Sequence, residues 1–115
     1  MLNTREKGLL IYIISHCKRI EEKMVLLTKE EFDSNQDIKD IICFNIFQIG
    51  ELIKHFTPEF LSKHSDIPWK QIKGMRDKIG HGYETVSFEK IWFTANNEIK
   101  PLHEYCSQIL NENDR

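Results

Sequence analysis

Apolar residues recur at spacings of three and four along three long stretches of the chain, which is the period of an amphipathic helix. The stretches cover residues 4–27, 38–56 and 88–109. Pro101 predicts a kink or a break near Ile99 in the third stretch, because proline lacks the amide hydrogen that a helix interior needs. The pattern contains no strand alternation and no repeat, so it predicts helices throughout.

Shorter elements are marked by capping residues and prolines. Thr28 and Glu31 have the spacing of a capping box, which predicts a short helical turn before a polar stretch over residues 33–37 loosens the chain. Thr57 can cap a further short turn that begins at Pro58 and runs to about residue 64.

A shorter helix is predicted to begin near Pro68 and to stop at Gly80, where Gly80-His81-Gly82 suits a helix end. Ser87 is a plausible N-cap for the element after it. The fold predicted is all-α: an up-and-down bundle of three long helices and one shorter, motif-bearing helix.

Length and charge bound the kind of protein. The chain has 115 residues and a formal charge of −2, which suits one globular domain over residues 1–115. Its longest apolar run, residues 9–14, is far shorter than a membrane span, and neither a span nor a signal peptide is expected. Cys17, Cys43 and Cys106 lie in apolar-periodic segments, which favours buried thiols and a cytoplasmic protein.

One basic stretch stands out in this acidic chain. Residues 70–83 contain three lysines and Arg76 against the single acid Asp77. Taken by itself, the positive charge is explained by a helix face exposed to solvent. The alternative is a phosphate site, because Arg76, His81 and Tyr83 could converge at the glycine-flanked helix end. On an ideal helix Arg76 and His81 lie about 140° apart, so they meet only if the helix ends between them. A structural histidine remains the alternative.

The pattern of Arg76, four residues, His81, one residue and Tyr83 resembles the R-x4-H-x-Y motif of HEPN domains of the HepT-like class. Asp77 departs from the family pattern, which usually has asparagine there. The resemblance covers roughly residues 35–110 and includes Ile49-Gly50-Glu51, Ile67-Pro68-Trp69, Gly74-Met75-Arg76, Trp92 and Ile99-Lys100-Pro101-Leu102.

The resemblance implies the toxin of a type VII-like HEPN/MNT toxin-antitoxin pair. Such a toxin is a metal-independent endoribonuclease that acts on RNA as a homodimer, and it needs no cofactor. Arg76 and His81 would be catalytic. Tyr83 would accept adenylyl groups from the antitoxin, a minimal nucleotidyltransferase. Residues expected to support the site or to bind phosphate are Lys73, Asp77, Lys78 and Glu51.

Two polar residues on the second long helix have open interpretations. Glu51 is either a partner for Arg76 or an exposed acid. Asn45 shares the apolar face, so it is either a polar group at the cleft or dimer surface or a core hydrogen-bonding residue. The histidine spacings do not match a metal motif, and no metal site is expected.

A homodimer is expected because the large apolar side chains are more numerous than the inner helix faces need; they are Phe44, Phe47, Phe56, Trp69 and Trp92. Two other functions stay open. The chain could be a non-catalytic module that binds a nucleotide or docks a nucleotidyltransferase, which Asp77 keeps plausible, or it could be a purely structural bundle.

Overall fold

The computed structural model describes residues 1–113, apart from the side chains of Tyr83 and Asn113. Within these residues the chain forms seven α-helices and no strand, which confirms the all-α prediction. A single 3-10 turn, Tyr83–Thr85, precedes the sixth helix. The helices are α1 (Thr4–Met24), α2 (Lys29–Ser34), α3 (Gln36–Ile53), α4 (Pro58–Lys63), α5 (Trp69–His81), α6 (Phe88–Asn97) and α7 (Ile99–Asn113).

Most helix starts are set by local side-chain caps. The Thr28 hydroxyl accepts from the backbone N–H of Glu31, and the Glu31 carboxylate accepts from the backbone N–H of Thr28, so the predicted capping box is present. Thr57 caps α4, with Pro58 in its first turn. Ser87 caps α6, as its sequence position indicated.

The first two long helices are shorter than their apolar patterns. α1 ends at Met24 because Val25 is extended and Leu26 adopts a φ of 60°. The polar stretch after α2 interrupts the helices at a single residue, Asn35, whose side chain caps α3. α3 ends at Ile53, although Phe56 beyond it is still buried.

The prediction that α5 stops at Gly80 was wrong. Gly80 stays helical, and a Cβ there would lie 3.3 Å from the Phe47 ring, so the glycine serves close packing. The helix ends one residue later, at His81, because Gly82 has a φ of 119° that other residues rarely adopt. The break predicted near Ile99 is confirmed, since α6 ends at Asn97 and α7 begins at Ile99.

α1 packs against α3 and α7, α3 packs against α5, and α6 fits against α1, α3 and α7. Cys17, Cys43 and Cys106 are fully buried in this core, and burial raises the pKa of Cys43 and of Cys106 to about 12. Burial is also the main cause that raises the pKa of Cys17. None of the described helices combines the length and apolarity needed to cross a bilayer.

Two of the five aromatic residues that suggested a dimer belong to the core. Phe56 is 6% exposed and Trp69 is 8% exposed, and their rings lie 5.9 Å apart between centroids. Phe47 and Trp92 are half-buried, and only Phe44, on α3, has more than half of its surface exposed. Of these five residues, Phe44 is therefore the one that offers the exposed apolar surface expected at a dimer contact.

Candidate functional site

The crossing of α3 and α5 depends on Gly50. A Cβ on Gly50 would overlap Cβ of Arg76 and lie 2.6 Å from its Cγ, so only glycine lets the two backbones approach this closely. Gly80, one turn along α5 from Arg76, meets the ring of Phe47 on the same side. The stem of Arg76 is thus held against α3, and its guanidinium extends toward the surface.

Two carboxylates and an aromatic ring surround this guanidinium. Nε and Nη2 of Arg76 donate to Oε1 of Glu51 on α3, and Nη1 donates to Oδ1 of Asp77 at 2.9 Å. The ring centroid of Phe47 lies 5.0 Å from Cζ of Arg76. Glu51 is therefore a partner of Arg76, and the alternative of a simply exposed glutamate was wrong. Nζ of Lys54 lies 3.8 Å from the same oxygen of Glu51.

These contacts keep Arg76 charged. The hydrogen bond with Asp77 is the main cause that raises the pKa of Arg76 above its usual range, and the hydrogen bond with Glu51 acts in the same direction. An arginine that stays protonated can stabilise negative charge, but it cannot transfer a proton. The Arg76 side chain keeps 23% of its surface exposed, so the charge is open to solvent.

His81 is the last residue of α5, and its side chain is exposed. It makes no hydrogen bond or ion pair with any side chain that the structure describes. Because α5 continues through Gly80, Arg76 and His81 stay about 140° apart on one helix. The expectation that a helix end between them lets both face one cleft of a single chain was therefore wrong.

The remaining predicted site residues lie along the same helix. Lys73 and Lys78 are exposed, and Asp77 is half exposed. Tyr83 begins the 3-10 turn two residues after His81. The structure thus gathers Glu51, Asp77 and Arg76 into one cluster, while the other predicted residues flank it.

Sequence reasoning missed Thr85. Its hydroxyl lies 3.0 Å from the carbonyl oxygen of Gly82 and 3.2 Å from that of Lys78, so it ties the turn back onto the end of α5. Threonine is a residue type that makes such local bonds to the backbone, and its place shortly after a glycine could have signalled it.

A groove of about 740 Å³ between α5 and α6 was also missed. Met75 and Ile79 form part of one wall, and Lys78 lies at its edge. Phe93, on the opposite wall, is 58% exposed. The apolar spacing of this stretch already left Phe93 outside the stripe that contains Ile91 and Ala95, and that position was the signal for it. Neither Arg76 nor His81 lines this groove, so it adjoins the charged cluster without containing it.

Asn45 is a core hydrogen-bonding residue. It is 3% exposed, its Oδ1 accepts from Nδ1 of His16 on α1 at 2.8 Å, and its amide donates to the carbonyl of Ile41. The alternative of a polar group at the cleft surface was wrong. Among the described residues, no three side chains of the ligand-forming types come together as a metal site.

Comparison of the sequence with known proteins shows the family of this chain. The family model described as "Ribonuclease HepT-like" matches residues 13–109, which is most of the chain. The chain belongs to the HepT-like family. The matched segment begins in α1 and ends in α7, so it contains the Glu51, Arg76 and Asp77 cluster and His81. The resemblance noted over residues 35–110 is confirmed and reaches further toward the N-terminus.

Several proteins that are similar to this chain have ribonuclease names. "Putative RNase TTE0752" of Caldanaerobacter subterraneus subsp. tengcongensis is 34% identical over 86% of this chain and 88% of its own length. "Putative RNase MJ0125" of Methanocaldococcus jannaschii is 31% identical over 92% of this chain and 91% of its own. "Probable ribonuclease HepT" of Thermococcus cleftensis is 32% identical over 64% of this chain and 74% of its own length. No solved structure matches. At the level of the HepT-like family, the activity is that of a ribonuclease.

Proposed function

We propose that this chain is a metal-independent endoribonuclease and the toxin of a type VII-like HEPN/MNT pair, with Arg76 and His81 as its catalytic residues. The observation that carries the proposal is the arrangement on α5, which holds a permanently charged arginine against α3 and presents an exposed histidine at its end. Membership of a family whose relatives have ribonuclease names supports the reaction class.

The chemistry of these groups suits cleavage of RNA without a metal. A base removes the proton of the 2′-hydroxyl, whose oxygen attacks phosphorus, and the bond from phosphorus to the 5′-oxygen breaks. An acid protonates the departing 5′-oxygen, which leaves a 2′,3′-cyclic phosphate. Imidazole serves as base or acid near neutral pH. The guanidinium of Arg76 stabilises the negative charge on the phosphorane without giving up a proton.

Two proton transfers and one motif histidine per chain favour a homodimer. A second copy supplies a second His81, and it removes the need for Arg76 and His81 of one chain to point the same way. The exposed face of α3 suits that contact, because Phe44 is 53% exposed one turn from Phe47, which lies against Arg76. Sedimentation is expected to show a dimer at micromolar concentration, and Phe44→Lys is expected to dissociate it. A monomeric wild-type chain would contradict the homodimer.

Regulation by adenylylation of Tyr83 completes the proposal. The residue starts the turn directly after α5, two positions from His81. An adenylyl group there adds bulk and negative charge beside a site that must receive an RNA phosphate, so it blocks substrate. The partner that adds it is an MNT-type nucleotidyltransferase.

The test of catalysis uses purified protein and total RNA in EDTA. Cleavage is expected in the wild type and its loss in His81→Ala. Retained cleavage in that variant would overturn the assignment of His81.

The test of regulation is expression with and without an MNT-type nucleotidyltransferase, followed by measurement of the mass of the intact protein. Mass steps of one AMP are expected, together with loss of cleavage, and both should disappear in Tyr83→Phe. An unmodified chain that is inhibited only by stoichiometric binding would contradict the switch.

A second candidate function is a non-catalytic module that docks a nucleotidyltransferase. The ion pair between Arg76 and Asp77 favours it, because the guanidinium already has an anionic partner at each end. Expression in a bacterial host separates the two functions. Growth arrest that depends on Arg76 and His81 supports the nuclease, and normal growth with tight partner binding supports the module.

A further inference from the structure

We infer that Asp77 competes with the RNA phosphate for Arg76, so that in the free chain an internal carboxylate occupies part of the phosphate-binding arginine. This inference rests on the proposed function and concerns the regulation of the same site. Asp77 thereby sets how tightly the ribonuclease holds its substrate.

The contacts of the guanidinium engage three of its five N–H donors. It has five N–H donors, arranged so that two of them can bind one phosphate or carboxylate. Nε and Nη2 are directed to Glu51, Nη1 is directed to Asp77, and one face of the group lies over Phe47. A phosphate that binds through Nη1 therefore has to displace the Asp77 carboxylate or share this nitrogen with it.

The two carboxylates differ in how easily they can be displaced. Glu51 reaches Arg76 from α3, across the crossing that Gly50 makes close, and its side chain is 34% exposed. Asp77 adjoins Arg76 on α5 and its side chain is 50% exposed. Exposed ion pairs contribute little to stability, so Asp77 can rotate into solvent at small cost. Glu51 accordingly positions the arginine, and Asp77 is the exchangeable partner.

The charge balance of the cluster supports this division. Arg76 and Lys54 carry two positive charges, and Glu51 and Asp77 carry two negative charges. The cluster is therefore close to neutral while Asp77 is ionised. Replacing Asp77 with neutral asparagine leaves a net positive charge where the phosphate binds, and the shape of the side chain is preserved.

The test compares Asp77→Asn with the matched control Glu104→Gln. Glu104 is an exposed acid on α7, so its substitution changes the net charge equally at a site outside the cluster. Asp77→Asn is expected to lower KM for a single-stranded RNA about fivefold with kcat nearly unchanged, the size expected for releasing one exposed ion pair. Glu104→Gln is expected to leave KM unchanged. An equal fall in KM in both variants, or no fall in Asp77→Asn, would overturn the inference.

Glu51→Gln is expected to change KM in the opposite direction. It removes the same charge, yet it is expected to raise KM and lower kcat because Arg76 loses the group that positions it. Thermal unfolding of each variant shows whether the bundle stays folded. A fall in KM in Glu51→Gln equal to that in Asp77→Asn would show that charge alone acts, and would also overturn the inference.

Binding of a 2′-O-methyl oligonucleotide, which cannot be cleaved through its 2′-oxygen, separates this inference from the proposed function. The affinity of Asp77→Asn for it is expected to exceed that of the wild type about fivefold. If the wild type cleaves RNA but the two affinities are equal, competition by Asp77 is wrong and the ribonuclease assignment stands. If affinity rises but no variant cleaves RNA, the ribonuclease assignment fails and the competition stands.

Discussion

Helix α3 takes part in two polar junctions that differ in chemistry. Toward α1, Asn45 is 3% exposed and its oxygen accepts a hydrogen bond from His16. Toward α5, Glu51 pairs with Arg76, and both side chains keep between a fifth and a third of their surface exposed. The first junction joins an imidazole to an amide that is closed to solvent, and the second joins charged groups that stay open to it.

The difference follows from the cost of removing polar groups from water. A buried amide needs only its hydrogen bonds to be satisfied, and Asn45 has partners for both ends of its side chain. Burying a charged pair in the interior would cost several kcal/mol per ion, so such a pair is more stable near the surface. An open charged junction can bind an external anion, and a closed junction built on a buried amide can only hold helices together.

The largest effect is expected from substitutions at the motif residues. Arg76→Ala and His81→Ala should each lower the rate of RNA cleavage by about 100-fold or more, the usual contribution of a proton-transfer group or a charge-stabilising group. Gel assays with a defined RNA measure the rate. His81→Ala should also leave the free energy of unfolding unchanged, because the side chain is exposed.

The control for this substitution is His55→Ala, which removes an exposed histidine whose ring contacts Arg5 outside the cluster. Cleavage by this variant should equal that of the wild type. Equal loss in both variants would remove the functional distinction between the open junction and the rest of the surface.

The next effect concerns the close crossing that shapes the open junction. Gly50→Ala should lower the free energy of unfolding by about 1–3 kcal/mol, because the added methyl overlaps the Arg76 stem. Gly74→Ala is the matched control on α5, since a Cβ there meets nothing within 4 Å, and it should raise stability by about 0.5–1 kcal/mol. Urea denaturation measures both. A tolerated Gly50→Ala would show that the crossing does not need glycine.

A smaller effect separates stability from activity at the closed junction. Asn45→Ala should lower the free energy of unfolding by about 0.5–1.5 kcal/mol, because it removes the hydrogen bond with half-buried His16. RNA cleavage per folded molecule should be unchanged. Asn96→Ala, on the exposed side of α6, is the control and should alter neither quantity appreciably. Loss of cleavage in Asn45→Ala at full stability would contradict a purely structural junction.

The smallest effect is a dependence of stability on pH at a third polar group, His64. Burial against Phe60 and other neighbours lowers the pKa of His64 below its ordinary value of 6.5, despite the opposing effect of Glu112. A histidine with a lowered pKa favours the folded state while it is neutral. Its contribution is therefore complete above about pH 6.5 and is lost as the pH falls through that value toward the lowered one.

Chemical denaturation between pH 8 and pH 5, on the wild type and on His64→Gln, measures this contribution. The variant should lose part of the decline in stability at acid pH. The same slope in both proteins would assign the decline to other groups.

Local features were predicted well from the sequence because their causes lie within a few residues. The capping box of Thr28 and Glu31 and the break before Ile99 depend on neighbours three or four positions away. The end of α5 was misplaced by one residue, because either glycine of Gly80-His81-Gly82 could end a helix and it is Gly82 that adopts the positive φ. That small error changed the geometry of the site, since it kept Arg76 and His81 on one continuous helix.

By itself, the sequence determined the all-α class, the starts of most helices and the motif on α5, since periodicity, caps and residue chemistry are local properties. Only the tertiary structure decided that Glu51 and Asp77 both bind Arg76, and that Phe56 and Trp69 belong to the core while Phe44 is exposed. The physical reason is separation along the chain. Glu51 and Arg76 are 25 residues apart, and they meet because Gly50 lets α3 and α5 approach closely.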